Sequence, residues 1–189
     1  RVEPANNRWH GLNLKAIDGS SVQLMDTAAN QLAYPQPSGQ KPGCGFPTMG
    51  IVGLLDLGHG GWEHFETGRW SRHDSTAAAG LIALLGEGDL LLADRAFCSY
   101  ELLACCLRQG CHALMRLHQS RHKALDWSHG KRLGPCDRLV TWKRPPRPAG
   151  SAASREEWDR LPTTLTLRLI KLHYENLSLI HISEPTRPY

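Results

Sequence analysis

Short hydrophobic runs alternate with polar turns along the first two-thirds of the chain and predict a succession of strands and helices. Two of the apolar runs end in an aspartate, LNLKAID at Asp18 and LLLAD at Asp94. A short apolar run bounded by turn residues is typical of a strand that is buried in a sheet. We therefore expect two buried strands with a carboxylate at the end of each.

Other segments extend this pattern in chain order. Alternating residues predict strands at 21–25, 49–57, 62–68 and 112–117, and residues 30–48, rich in proline and glycine, predict a long loop. The turn at 58–61 suits an antiparallel hairpin. Helical spacing of apolar residues predicts helices at 76–85 and 99–109, which end at Gly86 and Gly110.

The order of strand, strand, strand, helix, strand, helix, strand predicts an α/β fold. It is the succession of a ribonuclease-H-like domain, a mixed sheet with flanking helices, that lacks its last helix. Open α/β sheets bind ligands at the carboxyl ends of their strands, and the first and fourth strands of this arrangement lie side by side. Asp18 and Asp94 are therefore expected to meet.

Composition narrows the class of protein. The 189 residues are 41% hydrophobic and 21% charged, which is enough for a globular core. No apolar stretch approaches the ~20 residues of a membrane helix, and the start lacks the pattern of a secretory signal. The six cysteines show no C-x-x-C spacing, so we interpret them as reduced core residues of a cytoplasmic protein.

Positive charge is concentrated in one segment. The whole chain carries +4, but residues 116–147 hold nine Lys or Arg and only two acids, together with Trp127 and Trp142. Cationic and aromatic residues alternate in this way on surfaces that follow a phosphate backbone, although a solvated basic face is an equal alternative. The candidate DNA-binding residues here are Arg116, Arg121, Lys123, Lys131 and Arg132.

Paired carboxylates suggest chemistry with a hard divalent cation, which binds through carboxylates and substrate phosphates. A lone aspartate at a strand end is more often a turn-former. Asp26 and Asp56 are weaker candidates, the first because it opens a loop and the second because its alternating strand predicts that it faces solvent. His118 and His122 lack a cysteine at ligand spacing, which disfavours zinc, and no G-x-S-x-G motif supports a serine hydrolase.

From Trp9 to Leu172 the chain resembles the DDE transposases of bacterial insertion sequences, specifically the insertion-sequence-four group. The segments that carry the resemblance are IDGSSVQLMDTAANQLAYPQPSGQKPGCGFP, LLLADRAFCSY, MRLHQSRH and GKRLGPCDRLVTWKRP. The resemblance implies that Asp18 and Asp94 are catalytic and hold the metal, and that Arg95 contacts DNA or the active site. It also implies two Mg²⁺ or Mn²⁺ ions in the intact parent and cleavage and strand transfer at transposon ends.

The same resemblance implies partners and a missing part. Double-stranded DNA, as transposon ends and target, is the expected substrate, with a homodimer as the synaptic complex and a bacterial cytoplasmic, nucleoid-associated location. The family's third acid is a glutamate on its final helix, in a Y-x-x-R-x-x-x-E motif that this chain does not contain. We therefore expect this chain to bind metal weakly and to be inactive or nearly so.

Three regions follow from this comparison. Residues 1–117 are interpreted as the ribonuclease-H-like core without its last helix, and residues 118–172 as a partial, basic, β-rich insertion. Residues 173–189 are interpreted as read-through, because LSLIHISEPTR at 177–187 resembles a translated sequencing-library adapter. Two alternative functions stay open, another ribonuclease-H-like nuclease and a non-catalytic DNA-binding remnant of a decayed element.

Overall fold

The computed structural model of the protein describes residues 8–41, 43–69, 74–118, 121, 125–151 and 153–172. In chain order its elements are β1 Arg8–Trp9, β2 Leu12–Gln23, α1 Ala28–Ala33, β3 Thr48–Asp56, β4 Gly61–Arg69, α2 Asp74–Ile82, β5 Asp89–Ala93, α3 Tyr100–Gln109, β6 His112–Met115, β7 Lys131–Gly134, β8 Asp137–Lys143, α4 Arg155–Arg160 and β9 Thr164–Ile170.

The main sheet has the strand order β4-β3-β2-β5-β6, with β1 paired to β2 beside this path. Strands β2, β3 and β4 form an antiparallel meander, whereas β5 and β6 both run parallel to β2. The crossovers to β5 and β6 contain α2 and α3, as the parallel pairing requires. The fold is therefore mixed α/β with a sheet core, and this coarser prediction is confirmed.

One face of the main sheet is packed against α2 and α3. Ile17, Leu54 and Leu91 share this face and form one buried cluster with Leu81 of α2 and Leu102 of α3. Successive side chains of a strand point to opposite faces, so Asp18 and its neighbours in register point the other way. On that other face Phe65 of β4 and Leu114 of β6 are both exposed. We call it the open face.

Strands β7, β8 and β9 form a second antiparallel sheet. Its inner side chains pack in a separate cluster, which includes Trp142 of β8, Trp158 of α4 and Leu165 of β9, against Tyr100 and Ala104 of α3. Helix α3 therefore packs against both sheets. Where one domain ends and the next begins stays a prediction, and the region predicted as read-through, 173–189, lies outside the described residues.

Two local predictions were wrong. The segment predicted as a separate strand, 21–25, mostly continues β2, because Gly19 to Gln23 keep their pairing with β3. The predicted loop contains α1, which has no buried residue and so leaves no hydrophobic period in the sequence; the Thr27 side chain caps it by accepting from the backbone of Asn30. Helix α4, for which no prediction was made, packs against the second sheet through Trp158 and begins with a capping box between Ser154 and Glu157.

Asp56 was also predicted wrongly. Rather than facing solvent, its Oδ2 pairs with the ammonium of buried Lys15 at 2.7 Å, and Glu63 is a second partner of the same ammonium. The prediction failed because a cross-strand lysine, which the sequence alone does not place, lies opposite Asp56. Burying a lysine ammonium without an anionic partner would destabilise the fold, so these two acids compensate the buried charge of Lys15.

Candidate active site

The two predicted aspartates lie at adjacent positions of neighbouring strands. Ile17 of β2 pairs with Ala93 of β5 in parallel register, and Asp18 and Asp94 are the next residues along each chain. Neighbouring strands are about 4.8 Å apart, so the two backbones come close at this point. Both aspartates are exposed. The register therefore places the two candidate residues on neighbouring strands at the carboxyl end of β5.

Local backbone bonds orient each carboxylate. Oδ1 of Asp18 accepts from the backbone N–H of Gly19 at 2.9 Å, and Oδ1 of Asp94 accepts from that of Ala96 at 2.7 Å. No hydrogen bond from the described residues reaches the second oxygen of either carboxylate. Such oxygens are the ligands that Mg²⁺ and Mn²⁺ prefer, so the donor chemistry fits a hard divalent ion.

The described part of the chain supplies two acids to this site and no more. Within it, no group of three or more His, Cys, Asp or Glu side chains lies close enough to hold a metal ion. A hard cation bound here would take its other ligands from water or substrate phosphate.

Two of the predicted basic residues, Arg95 and Arg116, lie near the carboxyl ends of β5 and β6. Arg95 directly follows Asp94 in an exposed turn. Arg116 directly follows β6, and its backbone N–H donates to the carbonyl of Ala93 at 3.4 Å. Since Ala93 and Met115 are paired, Arg116 occupies the position next to Asp94 on the neighbouring strand. The structure therefore groups Asp18, Asp94, Arg95 and Arg116.

The other predicted basic residues are placed elsewhere, apart from Lys123, which with His122 lies outside the described residues. Arg121 is half-buried, with its guanidinium 5.8 Å from the ring centre of Trp142 in β8. Lys131 and Arg132 are exposed on β7 of the second sheet. These three residues therefore lie on or against the second sheet, and not beside Asp18 and Asp94 in the main sheet.

The surroundings of Lys131 carry mixed charge. Lys131 lines a cavity of about 460 Å³ together with Asp126, His129 and Thr166. Hydrogen bonds from the side chain and backbone of Ser128, and from His129, lower the pKa of Asp126 to about 2, so this carboxylate is ionised near neutral pH. The negative charge of Asp126 therefore offsets part of the positive charge that Lys131 would offer to DNA.

One feature next to Asp18 was missed in the sequence. Gly53 of β3 is the direct cross-strand partner of Asp18, and the ring of Trp62 lies where a Cβ on Gly53 would be. The ring therefore occupies the place of the side chain neighbouring Asp18. The sequence shows that the strand contains the aromatic residues Trp62 and Phe65, but it does not show the β-bulge that sets the register of β4.

The fold and the two aspartates, Asp18 within β2 and Asp94 just after β5, define a mixed α/β protein with an acidic site at the carboxyl end of β5. The prediction that Asp18 ends its strand was wrong, because β2 continues to Gln23 through its pairing with β3. The family described as "Transposase DDE domain" has a sequence model that matches residues 9–171. This chain belongs to that family. The resemblance stated from the sequence motifs is thereby confirmed.

Two individual proteins are similar to this chain over part of their length. The protein named "Putative transposase InsZ" of Escherichia coli (strain K12) is 28% identical over 105 residues, which cover 55% of this chain and 35% of that protein. The chain thus spans about a third of this relative. A cryo-EM structure of the piggyBac transposase synaptic complex with hairpin DNA aligns with 69% of this chain and 30% of its own, at 12% identity and a TM-score of 0.44.

No helix in the described ranges has the length and apolar character needed to span a membrane.

Proposed function

We propose that this chain carries two of the metal-binding carboxylates of a DNA transposase that cleaves and transfers strands at transposon ends. The observation that carries the proposal is that Asp18 and Asp94 each directly follow the Ile17–Ala93 pair of β2 and β5, and that each carboxylate has one oxygen to which no described residue donates. The family membership supports transposition as the process. The antiparallel meander β4-β3-β2, continued by parallel β5 and β6, supports a ribonuclease-H-like arrangement.

In this proposal the chain's own residues do three things. The backbone N–H groups of Gly19 and Ala96 hold the two carboxylates in fixed orientations. Asp18 and Asp94 would hold Mg²⁺ or Mn²⁺, two ions in the intact parent, and the bound ions would polarise the phosphodiester and favour an ionised nucleophile. Arg95 and Arg116, at the same edge, bind the phosphates of the substrate strand.

We further propose double-stranded DNA as the substrate, a homodimer as the working assembly and a cytoplasmic, nucleoid-associated location. Lys123, Lys131 and Arg132 are proposed to contact the phosphate backbone of DNA away from the two aspartates. The half-buried Arg121, which packs on the ring of Trp142, is better placed to stabilise the second sheet. Because only two carboxylates meet within the described residues, we expect this 189-residue chain to bind metal weakly and to turn over little.

Mn²⁺ binding tests the proposal directly. We expect Asp18→Asn and Asp94→Asn each to weaken Mn²⁺ binding, followed by electron paramagnetic resonance, by about tenfold or more, because each removes an anionic ligand. Asp26→Asn is the matched control, since Asp26 is exposed and its bond from Gln31 can be kept by asparagine. Equal affinity in all three variants would contradict the proposal.

The lack of a third carboxylate within the described residues favours one alternative, a non-catalytic DNA-binding protein. In that case DNA affinity would be unchanged by Asp18→Asn and by chelation of divalent ions. If the transposase proposal holds, DNA affinity measured by gel shift should rise with Mg²⁺ in the original chain and not in Asp18→Asn.

A further inference from the structure

The carboxyl-terminal end of α3 is closed by two backbone hydrogen bonds. The N–H of Gly110 donates to the carbonyl of Leu107 at 3.1 Å, and the N–H of Cys111 donates to the carbonyl of Cys106 at 3.1 Å. Gly110 supplies the left-handed conformation between them, at φ 72°. These features define a Schellman motif, in which the residue after the glycine contacts a residue of the last helical turn. In this chain both of those residues are cysteines.

The thiols of the two cysteines lie against each other. The thiol of Cys111 donates to the carbonyl oxygen of Cys106 at 3.5 Å, and the two thiols are also hydrogen-bonded to each other. Both side chains belong to the buried cluster that packs α2 and α3 on the main sheet, and they are 2% and 7% exposed. Close packing in this core therefore holds the two sulfur atoms together in the folded chain.

This contact makes the two thiols unequal. The hydrogen bond from the Cys106 thiol lowers the pKa of Cys111, whereas the same bond and burial raise the pKa of Cys106. Burial also raises the pKa of Cys98 and of Cys105. Because the thiolate is the nucleophilic form of cysteine, Cys111 is the sulfur of this pair that reacts first, and Cys106 is the thiol beside it.

We infer that Cys106 and Cys111 are an oxidation site that forms a reversible disulfide with hydrogen peroxide, a small oxidant that can enter when the helix end opens locally. First the Cys111 thiolate attacks one peroxide oxygen, the O–O bond breaks, and a sulfenic acid and hydroxide form. The Cys106 sulfur then attacks the sulfenic sulfur, the S–O bond breaks, and water leaves with the Cys106 proton. Two thiols and one peroxide thus give one disulfide and two waters.

The disulfide would join the last turn of α3 to the residue that precedes β6. It would constrain the junction between a helix that packs on both sheets and the strand that leads to Arg116. Hydrogen exchange at residues 106–112 should therefore slow on oxidation and return on reduction. Faster exchange in the oxidised chain would show that the bond distorts the motif, and would overturn the inference. The site goes beyond the proposed function and does not depend on it.

Peptide mapping tests the bond, because Arg108 lies between the two cysteines and trypsin cuts there. Residues 109–116 contain Cys111 as their only cysteine, and residues 96–108 contain Cys106 and two others. The reduced 189-residue chain is treated with hydrogen peroxide, alkylated, digested and analysed by mass spectrometry. We expect the two peptides to be joined, the intact chain to lose about 2 Da, and both changes to be reversed by dithiothreitol.

Matched variants identify the partner of Cys111. Cys106→Ala should abolish the joined peptides, whereas Cys105→Ala and Cys98→Ala, in the same tryptic peptide, should leave them in place. Cys44→Ala removes an exposed thiol elsewhere and is the control for general oxidation. Fragment spectra of the joined peptides locate the bond in the original chain, so a variant that fails to fold does not decide the result.

Three outcomes would overturn the inference. Sulfinic acid at Cys111 without joined peptides would show that the sulfur of Cys106 does not reach it. A bond from Cys111 to Cys98 or Cys105 would assign a different partner. Joined peptides that form in urea and not in the folded chain would make the bond a property of the unfolded chain, because urea removes the Schellman motif that brings the thiols together.

Discussion

The two sheets of the protein are stabilised by different interactions, although α3 packs against both. The main sheet is held by aliphatic side chains, among which Leu54, Leu81 and Leu91 are almost fully buried. The second sheet is held by aromatic rings, with Tyr100 of α3 packed edge to face on Trp142 at 5.3 Å between ring centres. Burial of area stabilises the first sheet, and a few specific contacts stabilise the second.

Polar contacts strengthen this difference. The Tyr100 hydroxyl donates to the carbonyl of Pro162 at 2.6 Å, and the carboxylate of Glu101 accepts from the backbone of Ala153 at 2.8 Å. Arg144 donates to the carbonyls of Trp158, Asp159 and Leu161 near the end of α4. The second sheet therefore depends on side-chain hydrogen bonds to backbone groups that are mostly part-buried, and their loss would leave several of these groups with fewer partners.

The largest expected effect comes from the core that α2 brings to the main sheet. Leu81→Ala removes a fully buried side chain and should lower the free energy of unfolding by about 3–5 kcal/mol. Because α3 packs against both sheets, amide exchange should accelerate in both. Leu84→Ala, at a position 59% exposed, is the control for urea unfolding. Faster exchange in the main sheet alone would contradict the prediction that α3 couples the stability of the two sheets.

A smaller and more local effect is expected from the second sheet. Arg144→Met should cost about 2–3 kcal/mol, because three carbonyls lose a charged donor. Hydrogen exchange by mass spectrometry should show faster exchange in β8 and β9, while β2 and β5 keep their protection. Arg155→Met, on the exposed side of α4, should change neither sheet. An equal increase of exchange in β2 and β5 would contradict the prediction that Arg144 stabilises the second sheet alone.

The smallest effect concerns the charged pair in the aliphatic sheet and depends on pH. The hydrogen bond from Lys15 outweighs burial and lowers the pKa of Asp56. Burial lowers the pKa of Lys15, but bonds to Asp56 and Glu63 outweigh it and raise the pKa overall. A carboxyl with a lowered folded pKa stabilises above its unfolded pKa, and this contribution disappears as pH falls through the folded value.

Lys15→Met should therefore reduce stability by about 1–2 kcal/mol near pH 6 and by progressively less towards pH 2. The measurement is the urea midpoint of both chains at several pH values, with the exposed Lys143→Met as control. A loss that stays constant from pH 6 to pH 2 would show that Lys15 acts through packing alone.

The sequence predicted the elements whose local signals agree with their packing. Helix α3 was predicted within one residue, because Ser99 caps its start and Gly110 ends it in a left-handed conformation at φ 72°. The strand end at Asp94 was predicted because an apolar run stops there. The adjacency of β2 and β5, which places Asp18 and Asp94 one residue beyond the Ile17–Ala93 pair, followed from the order of the elements.

The remaining features depend on contacts that are distant in sequence. Helix α1 buries nothing, so no periodicity marks it, whereas α4 was missed although its capping box, Ser154 to Glu157, is readable. The burial of Lys15 depends on which residues face it across two strands. The position of Trp62 depends on the register shift in β4. Such features need the register, which a single sequence does not give.

The shared helix also bears on the order in which the chain folds during synthesis. Every strand of the main sheet precedes residue 116, and α3 is complete before β7 begins at Lys131. Pairing β2 with β5 joins positions 76 residues apart, as in the bond from Asn13 to Asp89, and we expect such a nonlocal step to be slow. Since amino-terminal segments leave the ribosome first, this step can finish early. The late β7–β9 segment then condenses on a helix surface that is already in place.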